Sequence, residues 1–175
     1  MRFDIRTAPR AFVDVETTGL DDSFHEIVEI AIIQQDGTEW STKIKPEDIG
    51  SADPAALAIN GYSEEKWETA PSMENVAPII RAKLMGRIPV AHNAAFDKGF
   101  IMRALAAEDL DIRGVGYHWI DTVTLAYHLL VPQGLDRLSL KSVCNRLGVS
   151  NEGAHTALAD ALRCKKVYEA LCSAS

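Results

Sequence analysis

The sequence predicts an α/β domain whose mixed β-sheet carries α-helices on its faces. Two observations lead there. Three strand-like segments come first, and from Pro89 onward strand-like and helix-like segments alternate. A third observation bounds the answer. A chain of 175 residues suits a single domain able to bury most of its apolar surface, and no repeat or Pro/Gly-rich linker divides residues 1–175.

Taken in order, residues 11–16 (Ala-Phe-Val-Asp-Val-Glu) read as a buried strand. Ile27 to Gln34 and Thr38 to Ile44 read as two more, joined around Asp36-Gly37, a hairpin signal. Short helices over 53–59 and 63–69 sit between turn residues. Ser72 is placed to cap a helix running to Met85, with Val76, Ile79, Ile80 and Leu84 at helical spacing and Gly86 past its end. Pro89 to His92 is a short strand, and a helix follows from Ala95 to Ala107. Trp119 and Ile120 end a further strand. Helices over Thr122–Leu130, Ser139–Leu147 and Ala157–Leu171 complete the chain.

Composition is that of an ordinary soluble protein, and no apolar run reaches the length of a membrane span. The N-terminal Met-Arg-Phe-Asp-Ile-Arg lacks the apolar core of a signal peptide, so the sequence predicts a cytoplasmic protein. Cys144, Cys164 and Cys172 form no Cys-x-x-Cys pair and read as reduced packing residues. Eighteen basic against 25 acidic residues give a net charge of −7, which by itself opposes non-specific nucleic-acid binding. Local chemistry weakens that objection, because bound divalent ions reverse the sign around clustered acids. Arg137, Lys141, Arg146, Arg163, Lys165 and Lys166 flank the third motif below; they read equally as a solvated helix face or as a substrate-facing one.

Four acids stand in or beside apolar runs, where an unpaired charge is expensive. Asp14 and Glu16 lie in Phe-Val-Asp-Val-Glu-Thr-Thr-Gly-Leu, Asp97 in Ala-His-Asn-Ala-Ala-Phe-Asp, and Asp160 in His-Thr-Ala-Leu-Ala-Asp, which starts at His155. On a strand, Asp14 and Glu16 leave the same face with Cα atoms about 6.6 Å apart, a spacing suited to sharing one hard cation. A strand with one wet face is the simpler alternative. Thr17, Thr18 and Gly19 offer a tight exit whose exposed backbone N–H groups suit a terminal nucleotide, although Thr18 reads best as a plain turn residue. Asp97 falls near a helix N-terminus, a position many aspartates hold for the dipole alone. His92 and Asn93 read as structural. His155 fits the loop entering the last helix, where an imidazole takes a proton from water or merely caps the turn.

The ligand types narrow the chemistry. There is no Cys/His-rich zinc spacing, no phosphate-binding Gly-Lys loop and no Gly-x-Ser-x-Gly elbow. Four oxygen donors favour Mg²⁺ or Mn²⁺. Metal-assisted phosphoryl hydrolysis follows as the reaction class.

The three motifs, in this order and spacing, resemble those of the DEDD exonucleases, in the DnaQ-like (DEDDh) branch with a histidine five residues before the last aspartate. The match covers residues 11–171, with lesser echoes at Ile27-Val28-Glu29-Ile30-Ala31, Ile59-Asn60-Gly61-Tyr62 and Asp121-Thr122. The resemblance implies a ribonuclease H-like fold and a metal-dependent 3′→5′ exonuclease releasing nucleoside 5′-monophosphates from single-stranded or frayed DNA ends. By position, Asp14, Glu16, Asp97 and Asp160 would hold two Mg²⁺ (or Mn²⁺) ions. His155 would be the general base, and Thr17, Gly19, Leu20 and Asn60 would face the substrate. Two features depart from the family. Asn60 stands where many members have histidine, and no long polymerase-binding tail follows the final helix, which implies a free-standing nuclease. RNA trimming is the alternative activity, and a non-catalytic binding module the alternative class.

Overall fold

The first strand sorts its side chains between two different cores, and the rest of the architecture follows from that division. In the computed structural model, which describes residues 4–153 and 155–173, β1 spans Arg10–Thr17. Ala11, Val13 and Val15 pack into one buried cluster, and Phe12 into another on the opposite face. Period-2 alternation therefore sends Asp14 and Glu16 to the Phe12 side.

β2 (Ile27–Gln34) runs antiparallel to β1, and β3 (Glu39–Lys43) antiparallel to β2. β4 (Ile88–Ala91) and β5 (Ile120–Asp121) add in parallel on the other side, giving the order β3-β2-β1-β4-β5. Across the β1–β2 ladder Asp14 lies opposite Ala31 and Glu16 opposite Glu29, with a register shift between Glu16 and Thr17. Such a shift bends the strand and re-aims the side chains beside it.

The helices are α1 (Pro54–Asn60), α2 (Glu64–Trp67), α3 (Met73–Leu84), α4 (Ala94–Ala107), α5 (Thr122–Leu130), α6 (Leu140–Leu147) and α7 (Ala157–Ser173). Single 3-10 turns occupy Ile49–Ser51 and Val131–Gln133. α3 and α4 bury Val76, Ala77, Ile80, Leu84, Phe100, Ile101 and Leu105 against the Val13 face. On the opposite face α7 presents Ala157, Ala161 and Cys164, small side chains at helical spacing that seat the helix against Phe12, Ala31, Ile33 and Val90. α5 and α6 pack on the far side of α7 through Ala126, Leu130, Val143, Cys144, Val167 and Leu171. The result is the mixed α/β sheet with flanking helices that the sequence predicts.

Details differ from expectation for physical reasons. Val76, Ile80 and Leu84 form a stripe at i, i+4, i+8, whereas Ile79 falls on its flank and is exposed. Ser72 precedes α3 but donates to Asn75 Oδ1 at 3.2 Å instead of capping a backbone N–H. β4 begins at Ile88 because its register on β1 pairs Ile88 with Arg10. All three cysteines are free, with Cys144 and Cys164 buried; Cys172 is exposed, so it is no packing residue. Met1 to Phe3, where the leader was sought, lie outside the described residues, as do Ala154, Ala174 and Ser175. No helix among the described residues is long and apolar enough to cross a membrane.

Candidate active site

Asp14, Glu16 and Asp160 converge. One carboxylate oxygen from each lies within 4.8 Å of the others, on the α7 side of the sheet. β1 supplies the first two by strand alternation. α7 supplies Asp160 from its first turn, one turn beyond Ala157. The helix start is fixed at two points. Thr156 Oγ1 accepts from Ala159 N–H at 3.3 Å, and Glu29 Oε1 accepts from Ala157 N–H at 3.2 Å.

Asp97 reaches the same place from α4. β4 pairs with β1 only at residues 10–12, so beyond Phe12 that edge of β1 is open. Asp97 Oδ1 fills it, accepting from Val15 N–H at 3.1 Å. The side chain is buried in the first turn of α4.

Crowding and burial raise the proton affinity of Asp14, Glu16 and Asp97. Burial, then the charges of Asp97, Asp160 and Glu16, push the Asp14 carboxyl well above the ordinary carboxylate range, and Arg163 only partly offsets them. Glu16 is raised to about 7, first by burial and then by Asp160 and Glu29. Asp97 is raised to about 8 by burial, against the lowering effect of its own backbone N–H and that of Val15. An all-oxygen donor set with this proton affinity fits a hard divalent cation, which would take the place of the protons and remove the repulsion.

His155 stands apart from the three clustered acids. It is exposed on the loop entering α7, and its side chain makes no hydrogen bond to a described residue. Its φ of 72° is left-handed, a conformation non-glycine residues adopt sparingly and often beside functional sites.

The exit from β1 is more closed than its sequence suggests. Thr17, Thr18 and Gly19 are all buried, and Thr18 N–H is already used, donating to Glu26 O at 2.8 Å. Thr18 Oγ1 accepts from Glu26 N–H at 2.9 Å, and Thr17 Oγ1 donates to Gly19 O at 2.6 Å. The expected row of exposed N–H groups is therefore replaced by a cross-linked turn. Gly19 is required for packing: a Cβ there would meet the His25 ring at 2.3 Å. Asn60 braces the turn, its Nδ2 donating to Thr17 O at 3.0 Å while its Oδ1 accepts from Tyr62 N–H at 3.1 Å. Leu20, 81% exposed, projects from the loop this turn begins.

Around the site, His92 is structural as expected, held between Thr122 Oγ1 at 2.9 Å and Leu138 O at 2.8 Å. Asn93 N–H donates to Asp121 Oδ1 at 3.0 Å. Arg137 and Lys141 are exposed, but Arg163 is buried and ion-paired with Asp160, so it is neither a solvated nor a substrate-facing cation. Sequence reasoning passed over Glu29 and Asn151 as parts of the site. Glu29 carried a usable signal, an acid inside the apolar run Ile-Val-Glu-Ile-Ala. Asn151 carried none.

The sheet therefore gathers its carboxylates on its central strand, β1, and on the helix packed against it. The solved structures share that architecture. Exonuclease I superposes with a TM-score of 0.83 over 95% of this chain and 41% of its own, at 19% identity. The E. coli enzyme in complex with a dT13 oligonucleotide gives 0.81, at 18% identity and over 97% of this chain and 41% of that one. The Exonuclease (RNase T-type) family matches residues 11–168, and the chain belongs to that family. This membership supports an exonuclease activity. The chain is 36% identical to a PolC-type DNA polymerase III of Thermotoga petrophila, over 89% of its length and 11% of the polymerase. It is 29% identical to the DNA polymerase III subunit epsilon of Escherichia coli K12, over 91% of this chain and 69% of the subunit. It is also 30% identical to the ribonuclease T of a Shewanella strain, over 89% and 78% respectively. The chain thus spans only a small part of the PolC-type polymerases, and less than half of exonuclease I.

Proposed function

We propose that this chain removes nucleoside 5′-monophosphates from the 3′ ends of single-stranded or frayed DNA in the cytoplasm. The observation that carries the reading is the meeting of Asp14, Glu16 and Asp160 within 4.8 Å. In this reading Asp14, Glu16, Asp160 and the neighbouring Asp97 hold two Mg²⁺ or Mn²⁺ ions. When bound, the ions supply Lewis acidity toward the phosphate and lower the pKa of water. His155 takes a proton from the attacking water. As the water oxygen bonds to phosphorus the P–O3′ bond breaks, the departing 3′-oxygen takes up a proton from solvent, and the exposed imidazole of His155 returns its own proton to solvent. Leu20 offers an apolar surface to the terminal base, and Thr17, Gly19 and Asn60 hold the backbone that carries it. Two of the relatives above are polymerase III chains, so association with a replicative polymerase is the alternative to the free-standing nuclease expected from the sequence.

RNA is the second substrate to weigh, because one relative is a ribonuclease. Discrimination between the two rests on contacts to the 2′-hydroxyl. The deciding experiment digests 5′-labelled DNA and RNA of one sequence in parallel, with Mg²⁺ and with chelator. The expected result is a DNA ladder shortening from the 3′ end, dependent on the metal. Faster shortening of RNA would transfer the assignment to the ribonuclease reading, and no shortening of either would end it.

A further inference from the structure

Arg163 is the residue whose position the reaction does not by itself explain. It lies on α7 one turn after Asp160, is only 5% exposed, and its buried Nε has no hydrogen-bond partner among the described residues. Burying a guanidinium is unfavourable unless well-placed acceptors surround it. Two acceptors do, and they belong to different parts of the site. Nη2 donates to Asp160 Oδ1, and Nη1 donates to Asn151 Oδ1 at 2.9 Å. Asn151 in turn donates from Nδ2 to Asn145 Oδ1 of α6 at 2.7 Å.

Asn151 begins the short stretch that leads to His155. That stretch depends on unusual backbone angles, with Gly153 at φ 74° and His155 at φ 72°, so its shape is set by contacts and not by a regular element. Arginine suits the link, since its planar fork holds two acceptors in one fixed geometry, whereas an ammonium is a point charge.

We propose that Arg163 is a positioning residue that couples the carboxylate of Asp160 to the loop carrying His155, through Asn151. Anything that fixes Asp160, a divalent cation above all, then also fixes the loop. The inference rests on the proposed role of His155 only for its effect on turnover. The structural coupling stands without it.

The test uses the full chain and the variants Asn151→Ala, Asn151→Asp and Arg163→Lys. Amide hydrogen exchange of residues 149–156 is measured with and without Mn²⁺, beside Mn²⁺ affinity by calorimetry and kcat and KM on a DNA oligonucleotide. Mn²⁺ should slow exchange in this segment of the wild-type chain and leave it unchanged in Asn151→Ala. Asn151→Ala should lower kcat about tenfold or more, with KM and Mn²⁺ affinity within about twofold of wild type. Asn151→Asp keeps the acceptor and should restore both protection and turnover. Arg163→Lys keeps the charge without the fork and should resemble Asn151→Ala in exchange. Metal-dependent protection that persists in Asn151→Ala would overturn the coupling; protection lost beside an unchanged kcat would support the coupling and overturn its effect on turnover. An inactive wild-type chain would instead defeat the nuclease reading, leaving the exchange comparison to decide the coupling separately.

Discussion

Asp14→Asn removes turnover and makes the metal-free chain more stable. The loss of turnover should reach about 10³-fold, because the substitution deletes a charge from the proposed metal-binding group. The gain in stability has the same origin. Asp14 lies half-buried among Asp97, Asp160 and Glu16, whose charges all raise its proton affinity. Asparagine keeps its shape and discards the repulsion.

The pH dependence follows with a definite sign. Glu16 rises from 4.5 to about 7 and Asp97 from 3.8 to about 8, so the folded chain binds these protons more tightly than the unfolded one. Their contribution to stability is complete below the unfolded values and disappears as pH rises through about 7 and then about 8. For Glu16 alone this amounts to on the order of 3 kcal/mol, each tenfold change in proton affinity being worth about 1.4 kcal/mol. In chelator, the melting temperature of wild type should therefore fall between about pH 5 and pH 9, with the fall reduced in Asp14→Asn and reversed by Mg²⁺. A melting temperature that climbs over that range in chelator would mean the acids are not crowded as described.

His155→Ala should lower kcat by about 10²–10⁴-fold while leaving Mn²⁺ affinity and the melting temperature unchanged. The side chain is exposed and lies outside the three-carboxylate group, so its loss removes neither packing nor a ligand atom of that group. Calorimetry beside single-turnover kinetics makes the separation. Weakened Mn²⁺ binding in this variant would recast His155 as a ligand, and unaltered turnover would remove it from the reaction.

Much of the arrangement could be read from residue pattern, for reasons visible in single positions. Alternation along β1 placed Asp14 and Glu16 on one face because a strand has no other option. Apolar spacing from Val76 to Leu84 and the glycine at position 86 located α3, since a buried helical stripe leaves a strong local mark. Asp97 was legible as an acid at a helix start, but not as the group closing the open edge of β1. That role depends on how far β4 extends along its neighbour. The turn after Glu16 read as open because glycine and threonine suggest exposed amides. Only the folded loop shows Glu26 O already occupying the Thr18 N–H, with Glu26 N–H returned to the Thr18 hydroxyl. Arg163 misled for a related reason: a basic residue beside lysines looks solvated until its ion pair with Asp160 is seen.

Beneath every functional statement lies the claim that distant carboxylates share divalent cations. Anomalous scattering from Mn²⁺-soaked crystals of the wild-type chain tests it most directly. Metal peaks are expected in direct coordination with Asp14, Glu16 and Asp160, bordered by Asp97. Peaks confined to surface acids elsewhere, with those carboxylates bare at saturating Mn²⁺, would contradict it.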